Sequence, residues 1–239
     1  MRDLPPAVVT DLAPHGVLRA AINLGNPVLA QGTPAQPAGV TVDIALEIAS
    51  RLDVPVEFAC FDAARDSFEA LMTGQADICF LAIEPARETE VTFTAPYVLI
   101  EGVFAVPSQS QFATVDDVDS PGVRIGVKRG SAYDLFLSRT LQHATVVRGA
   151  EGTEVFFTQD LEAAAGIRQP MTEFVATHSG VRLVEGRFME IRQAVGTAKT
   201  RRPETTGFLH GVVEELKATG FVAESLRRSG QSVAVAPPA

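Results

Sequence analysis

Apolar positions along the chain switch repeatedly between the period of a strand and the period of a helix. Leu18–Leu24 reads as a first strand, and Gly25-Asn26-Pro27 as a turn. Residues 31–40, rich in Gly, Pro and Gln, read as a loop. Val42, Ala45, Ile48, Ala49 and Leu52 recur at helical spacing and predict an amphipathic helix over 41–52. Val56, Phe58 and Cys60 alternate, as in a second strand. A short helix is predicted over 67–73, with Gly74 as its cap. Asp77–Ile83 reads as a buried third strand. Strand, helix, strand, helix, strand in succession is the signature of a parallel α/β sheet.

Val98–Val106 is a long apolar strand that leads into the polar run 107–111. A second α/β series follows. Val123–Val127 is a strand, and Gly130-Ser131 opens a helix carrying Tyr133, Phe136, Leu137 and Leu141. Strands are predicted at 145–147, 161–167, 181–184 and 189–195, with helices near 152–158 and 170–178. Two helices close the pattern, over 204–218 and 221–229. The tail from Gly230 has no periodicity and is expected to fray. A chain that leaves one α/β unit and returns to it forms two lobes with two crossings, near 104–109 and 186–193. Lobe one is then 1–105 plus 192–239, and lobe two is 106–191. Ligands commonly bind between such lobes, and hinge closure buries them.

Composition narrows the partners. The net charge of −9 argues against nucleic acid or an anionic membrane surface, yet leaves room for an anionic small ligand beside a local arginine. No apolar run approaches the ~20 residues needed to span a bilayer. The opening Met-Arg-Asp-Leu-Pro-Pro lacks the apolar segment of a signal peptide. Periplasm, after removal of a leader, and cytoplasm therefore both stay open. The two cysteines, Cys60 and Cys79, fall in strand-like runs and read as buried free thiols. The four histidines share no motif, so no metal site is expected, and no cofactor is implied. No Ser-His-Asp set, Cys-His pair or phosphate loop is visible.

The chemistry concentrates in residues 83–97. Arg87 follows the third strand closely, where open α/β sheets bind ligands, and a guanidinium there grips a carboxylate bidentately. It is expected to be a rim group, dispensable to the fold. Glu84 shares the turn, with a solvated turn residue as its plainer reading.

Several segments resemble the family 3 periplasmic solute-binding proteins, the amino-acid-binding components of ABC transporters. They are Gly39–Ala45, Phe68–Asp77, Ile83–Arg87, Phe93–Tyr97, and Val123–Val127 with Gly130-Ser131. Their order and spacing carry the resemblance, over roughly residues 12–229. It implies the two-lobed type II periplasmic binding protein fold, the "Venus flytrap", with a mostly parallel sheet flanked by helices in each lobe. It implies a monomer in the periplasm that passes a small carboxylate to an ABC permease. Arg87 matches the arginine that holds the ligand carboxylate. Ser131 matches the hydroxyl residue at a helix N-terminus, where the N–H groups of Ser131 and Ala132 could also meet an anion. Ser131 reads equally as a plain N-cap helped by Asp134. Asn23 and Asn26 stand where an acidic residue and an aromatic ring are usual.

The departures shape the ligand expectation. Phe80 and Ala82 replace the usual hydroxyl residues on the strand before Arg87. Ile167, next to Arg168, stands where an aspartate binds the ligand ammonium. One reading is an organic acid without a free α-amino group, gripped by Arg87 and Arg168. In the other, Arg168 points to solvent and Glu84 receives an ammonium. The resemblance also reaches the cyclohexadienyl dehydratases, which would make Glu84 a catalytic acid if burial raises its pKa. A cytoplasmic ligand-binding module is a third reading.

Overall fold

The computed structural model describes residues 5–239. The reading of the first residues as lacking a leader's apolar segment lies largely outside them. The described chain divides into two units, one of residues up to Leu99 with Arg192–Ala239, the other Ile100–Ile191.

The first unit begins with α1 (Pro6–Leu12), β1 (Leu18–Asn23), β2 (Gln31–Thr33), β3 (Gln36–Ala38) and α2 (Val40–Leu52). It continues through β4 (Val56–Phe61), α3 (Ala64–Met72), β5 (Ile78–Ala82), the single-turn α4 (Pro85–Glu88) and β6 (Val91–Phe93). β7 (Val98–Pro107) leaves it. The second unit holds a 3-10 turn (Val115–Val118), β8 (Arg124–Lys128), α5 (Ala132–Thr140), β9 (Thr145–Gly149) and α6 (Gly152–Thr158). It ends with β10 (Ala163–Ile167), α7 (Arg168–Thr177) and β11 (Val181–Leu183). β12 (Met189–Ala198) returns, followed by α8 (Pro203–Ala218), α9 (Phe221–Arg228) and β13 (Ala234–Val235).

In the first unit the strands run β4-β1-β5-β12, with β6 also on β12. β4, β1 and β5 are parallel, and β12 is antiparallel to β5. Cys60 and Cys79 lie on strands that flank β1, and both are free thiols. Burial pushes the Cys79 thiol up to about 12, so it stays protonated and inert. In the second unit the order is β7-β10-β8-β9, with β11 also on β7. β10, β8 and β9 are parallel and β7 is antiparallel to β10.

β5 is buried at every position, as a central strand covered on both faces must be. Cys79 and Leu81 pack on one face with Ala70 and Leu71 of α3 and with Ala21 of β1. Phe80 and Ala82 take the other face, because side chains alternate along a strand. Gly39 makes the entry to α2 possible. Its φ of 103° is a glycine conformation, and a Cβ there would lie 2.7 Å from the Leu29 carbonyl oxygen.

Asp77 fastens the N-terminal end of β5. Its carboxylate is fully buried and accepts the Arg19 backbone N–H at 3.0 Å and the Arg19 Nε–H at 2.9 Å. Arg19 and Arg201 each donate a further Nη2–H to Oδ1, at 2.8 and 2.9 Å. The Asp77 carbonyl accepts the Thr197 hydroxyl at 2.9 Å. One carboxylate thus joins β1, β5 and the segment after β12.

The structure departs from the sequence expectation at α1 and the 3-10 turn, which the periodicity did not suggest, and in three further places. Residues 31–38, read as a loop, form the β2-β3 hairpin. The turn carrying Arg87 contains the helical turn α4. The tail does not fray: Ala234 and Val235 pair with Leu99 and Val98 of β7. The Ala236 N–H donates to the Tyr97 carbonyl, and buried Lys217 donates to the carbonyls of Pro96 and Pro237. Two paired residues leave no period to detect, so partners elsewhere in the chain decide this strand.

Replacing Asp77 by Ala strips two guanidinium groups of their shared partner inside the sheet. Asp77→Ala is expected to destabilise the protein by about 3 kcal/mol, the scale for breaking a buried ion pair. The urea midpoint measures it, and a change below about 1 kcal/mol would show that Asp77 does not fasten β5.

Candidate functional site

β5 delivers one group of residues. Its last residue, Ala82, is buried, and Glu84 and Pro85 then start α4. Proline at the first helical position suits a helix start, since its missing N–H would have no partner there. This single turn folds Arg87 back over the strand end. The Arg87 guanidinium donates from Nη1 to the Ala82 carbonyl at 3.1 Å. Arg87 is 4% exposed and Glu84 2%. Neither is what the sequence suggested: Arg87 is not a rim group, and Glu84 is not a solvated turn residue. The run Glu-Pro-Ala-Arg carries no local sign that its two charges will be covered.

Burial lowers the Arg87 pKa to about 10, against the opposing influence of neighbouring Cys79 and Glu84. Desolvation outweighs the favourable charges, so the guanidinium holds its proton less tightly than it would in water. Phe80 is buried and packs edge-to-face on Tyr97, with ring centres 6.3 Å apart. Phe80 and Ala82 present no polar side-chain atom to their face of the sheet.

Asn23 and Asn26 shape the turn after β1. The Asn23 side-chain oxygen accepts the Gly25 N–H at 3.1 Å, and that of Asn26 accepts the Val28 N–H at 3.3 Å. Both are side-chain turns in which the amide oxygen replaces a backbone acceptor. Asn26 is buried and Asn23 half-buried.

The second unit holds another group. Gly130, with φ 71°, turns the chain from β8 into α5. Ser131 is the N-cap: its hydroxyl oxygen accepts the Asp134 N–H at 3.0 Å. The expected free N–H of Ser131 is already used, donating to the Lys128 carbonyl at 3.2 Å. Ala132 begins α5, where the N–H has no acceptor within the helix. The Asp134 carboxylate accepts the Gly130 N–H at 2.8 Å, and Arg148 Nε–H donates to both its oxygens at 2.9 and 3.1 Å. Arg148 therefore offsets a negative charge that would otherwise oppose an anion at this helix start.

Ile167 is the N-cap of α7 and offers no side-chain cap. Arg168 follows, but it does not stand as an open anion site. Its Nε–H donates to Glu101, and its Nη2–H to the Gly186 carbonyl at 2.6 Å. Arg187 reaches the same Glu101 carboxylate at 3.1 Å. Arg168 is thus neither loosely solvated nor offered as an uncompensated second cation. Glu101 lies 67 residues earlier in sequence, so no local pattern announces the pair.

Gln193 on β12 also escaped the sequence reading. Met189, Ile191 and Val195 alternate on its strand face, and all are buried. A glutamine in that series is the signal that could have found it. Among the described residues, no group of three or more His, Cys, Asp or Glu is placed to hold a metal ion, and no helix is long and apolar enough to cross a membrane.

The family described as bacterial extracellular solute-binding proteins, family 3, matches residues 18–230. No curated protein matches the chain in sequence. Solved structures share the fold at low identity. A mutant of ArgBP from T. maritima is 22% identical with a TM-score of 0.75, over 93% of this chain and 99% of that one. An ancestral amino acid-binding protein, described as a precursor of cyclohexadienyl dehydratase, is 19% identical with a TM-score of 0.74, over 92% and 97%. An amino acid ABC transporter substrate-binding protein from Streptococcus pneumoniae, bound to L-arginine, is 17% identical with a TM-score of 0.74, over 96% and 99%. The fold is that of the type II periplasmic binding proteins. The chain belongs to the bacterial extracellular solute-binding proteins, family 3.

Proposed function

We propose that this solute-binding protein takes up a small carboxylate and delivers it to an ABC-type transporter. The observation that carries the ligand class is the buried Arg87 guanidinium at the end of β5, held on the Ala82 carbonyl. A ligand carboxylate offers that guanidinium two charge-assisted hydrogen bonds where water is scarce. Delivery to a transporter, and an extracytoplasmic location with it, follow from the family.

The finer reading is an organic acid without a free α-amino group. Its support is Ile167, which offers no acceptor to an ammonium at the end of β10. Arg168 adds less than the sequence suggested, because Glu101 balances its charge. The α-amino acid reading keeps one observation in its favour, the buried Glu84 carboxylate close to Arg87. We propose binding without chemistry. Unchanged prephenate and arogenate after long incubation is the expected result, and their conversion would assign Glu84 an acid's role instead.

A thermal-shift screen of refolded protein against amino acids, dicarboxylates, keto acids and aromatic carboxylates tests the ligand class. A true ligand at about 100 times its Kd stabilises by ~2.7 kcal/mol. Shifts are expected with deaminated acids. Arg87→Lys keeps the charge but loses the planar fork, and should weaken the responding acid by at least about tenfold. Calorimetry measures this, and full affinity in that variant would remove Arg87 from the site. Ile167→Asp should bring α-amino-acid binding; no gain with any amino acid would show that Ile167 does not occupy the ammonium position.

The Glu101 cluster makes a separate prediction. Burial opposes ionisation there, yet hydrogen bonds and charge from Arg168 and Arg187 hold the Glu101 carboxyl below its ordinary range. A lowered folded-state pKa gives stability that is present above the unfolded value, about 4.3, and lost as pH falls through the folded value. Urea unfolding from pH 7 downward should therefore show a steeper acid loss in the native protein than in Glu101→Gln. Parallel curves would mean that Glu101 and the arginines are not coupled.

A further inference from the structure

β12 pairs antiparallel with β5 in a register that sets Gln193 opposite Ala82 and Val195 opposite Phe80. Directly opposed residues of an antiparallel pair project to the same face. Gln193 therefore shares the face of Phe80 and Ala82 and is the polar side chain among them. It is 7% exposed, and its side-chain oxygen is buried without a hydrogen-bond partner. Leaving such an acceptor unmade costs about 1–3 kcal/mol. A leucine of similar size would carry no such cost, so the amide calls for a use outside the ligand-free fold.

The neighbourhood says what the use is. Ala82 is opposite Gln193, and its carbonyl holds the Arg87 guanidinium at 3.1 Å. The Gln193 main chain is fixed too, since its carbonyl accepts the Tyr97 N–H at 2.8 Å. An acceptor and a guanidinium are thus both placed by one residue, Ala82, the first through strand register and the second through its carbonyl. The acceptor is a neutral amide, and the cation is a guanidinium. A hydroxyl donor suits that pair. An ammonium is repelled by Arg87 and receives no compensating charge from Gln193. A keto oxygen has no hydrogen to give.

Resting on the carboxylate reading of Arg87, we propose that Gln193 is a specificity residue. Its amide oxygen accepts the hydroxyl of a bound hydroxy acid, so the protein favours a 2-hydroxy acid over the 2-oxo and 2-amino acids of the same skeleton.

Calorimetry with three matched sets tests this: L-malate, oxaloacetate and L-aspartate; lactate, pyruvate and L-alanine; 3-phenyllactate, phenylpyruvate and L-phenylalanine. In the set whose skeleton fits, the hydroxy acid is expected to bind at least about tenfold tighter than the oxo acid, the scale of one buried hydrogen bond. Gln193→Leu should erase that difference by weakening the hydroxy acid alone. The same variant should unfold at a higher temperature than the native protein when no ligand is present, because it removes an unmade bond. Equal binding of hydroxy and oxo acids by the native protein overturns the proposal and leaves the carboxylate reading standing. A preference for the oxo acid overturns it as well, since the amide would then be donating. No binding in any set, with Arg87→Lys indistinguishable from native, overturns both. The native comparison decides even where the variant does not fold.

Discussion

Burial of a guanidinium at the end of a sheet strand constrains most of what this protein can do. Taking Arg87 out of water is unfavourable, and its pKa falls to about 10 as a result. The chain meets the cost locally, with the Ala82 carbonyl and with Glu84 nearby. Those groups are available only because β5 runs fully buried to Ala82 and a proline-started turn reverses the chain at once. The strand, in turn, is fastened at its other end by Asp77, which gathers two arginines from distant segments. The same short strand is thus tied at its start by a buried carboxylate and carries a buried cation at its finish.

The two arginines singled out in the sequence differ because of their surroundings. Arg87 is desolvated, and burial outweighs the nearby Cys79 and Glu84 in setting its pKa. Arg168 is partly exposed and held by Glu101 and the Gly186 carbonyl. The first is covered by the end of a strand and its helical turn, and the second shares a carboxylate with Arg187. Ser131 makes a similar point: its hydroxyl caps α5 and its N–H is spent on Lys128, while Arg148 relieves the charge of Asp134 beneath it. Residues that look interchangeable as candidates separate once their partners are counted.

Much of the architecture was readable from periodicity. The alternation of strand and helix along both units, the buried β5 and the long strands β7 and β12 follow from apolar spacing, which local sterics and burial impose directly. The order of the segments around Gly39, Arg87 and Ser131 was enough to suggest the family, which the match over residues 18–230 establishes. Elements held by few residues were not readable. β2, β3, α4 and β13 are each four residues or fewer, too short for a period to show.

Sequence by itself determined the class of fold and the family, because each depends on local pattern or on motif order. Tertiary structure alone decided which charges are buried, which are already paired, and which polar atoms wait for a partner. Glu101 and Arg168 are 67 residues apart, and Gln193 meets Ala82 only through an antiparallel register. Electrostatic and hydrogen-bond energies depend on distance in space and on exclusion of water, and neither quantity is written in neighbouring letters of the chain.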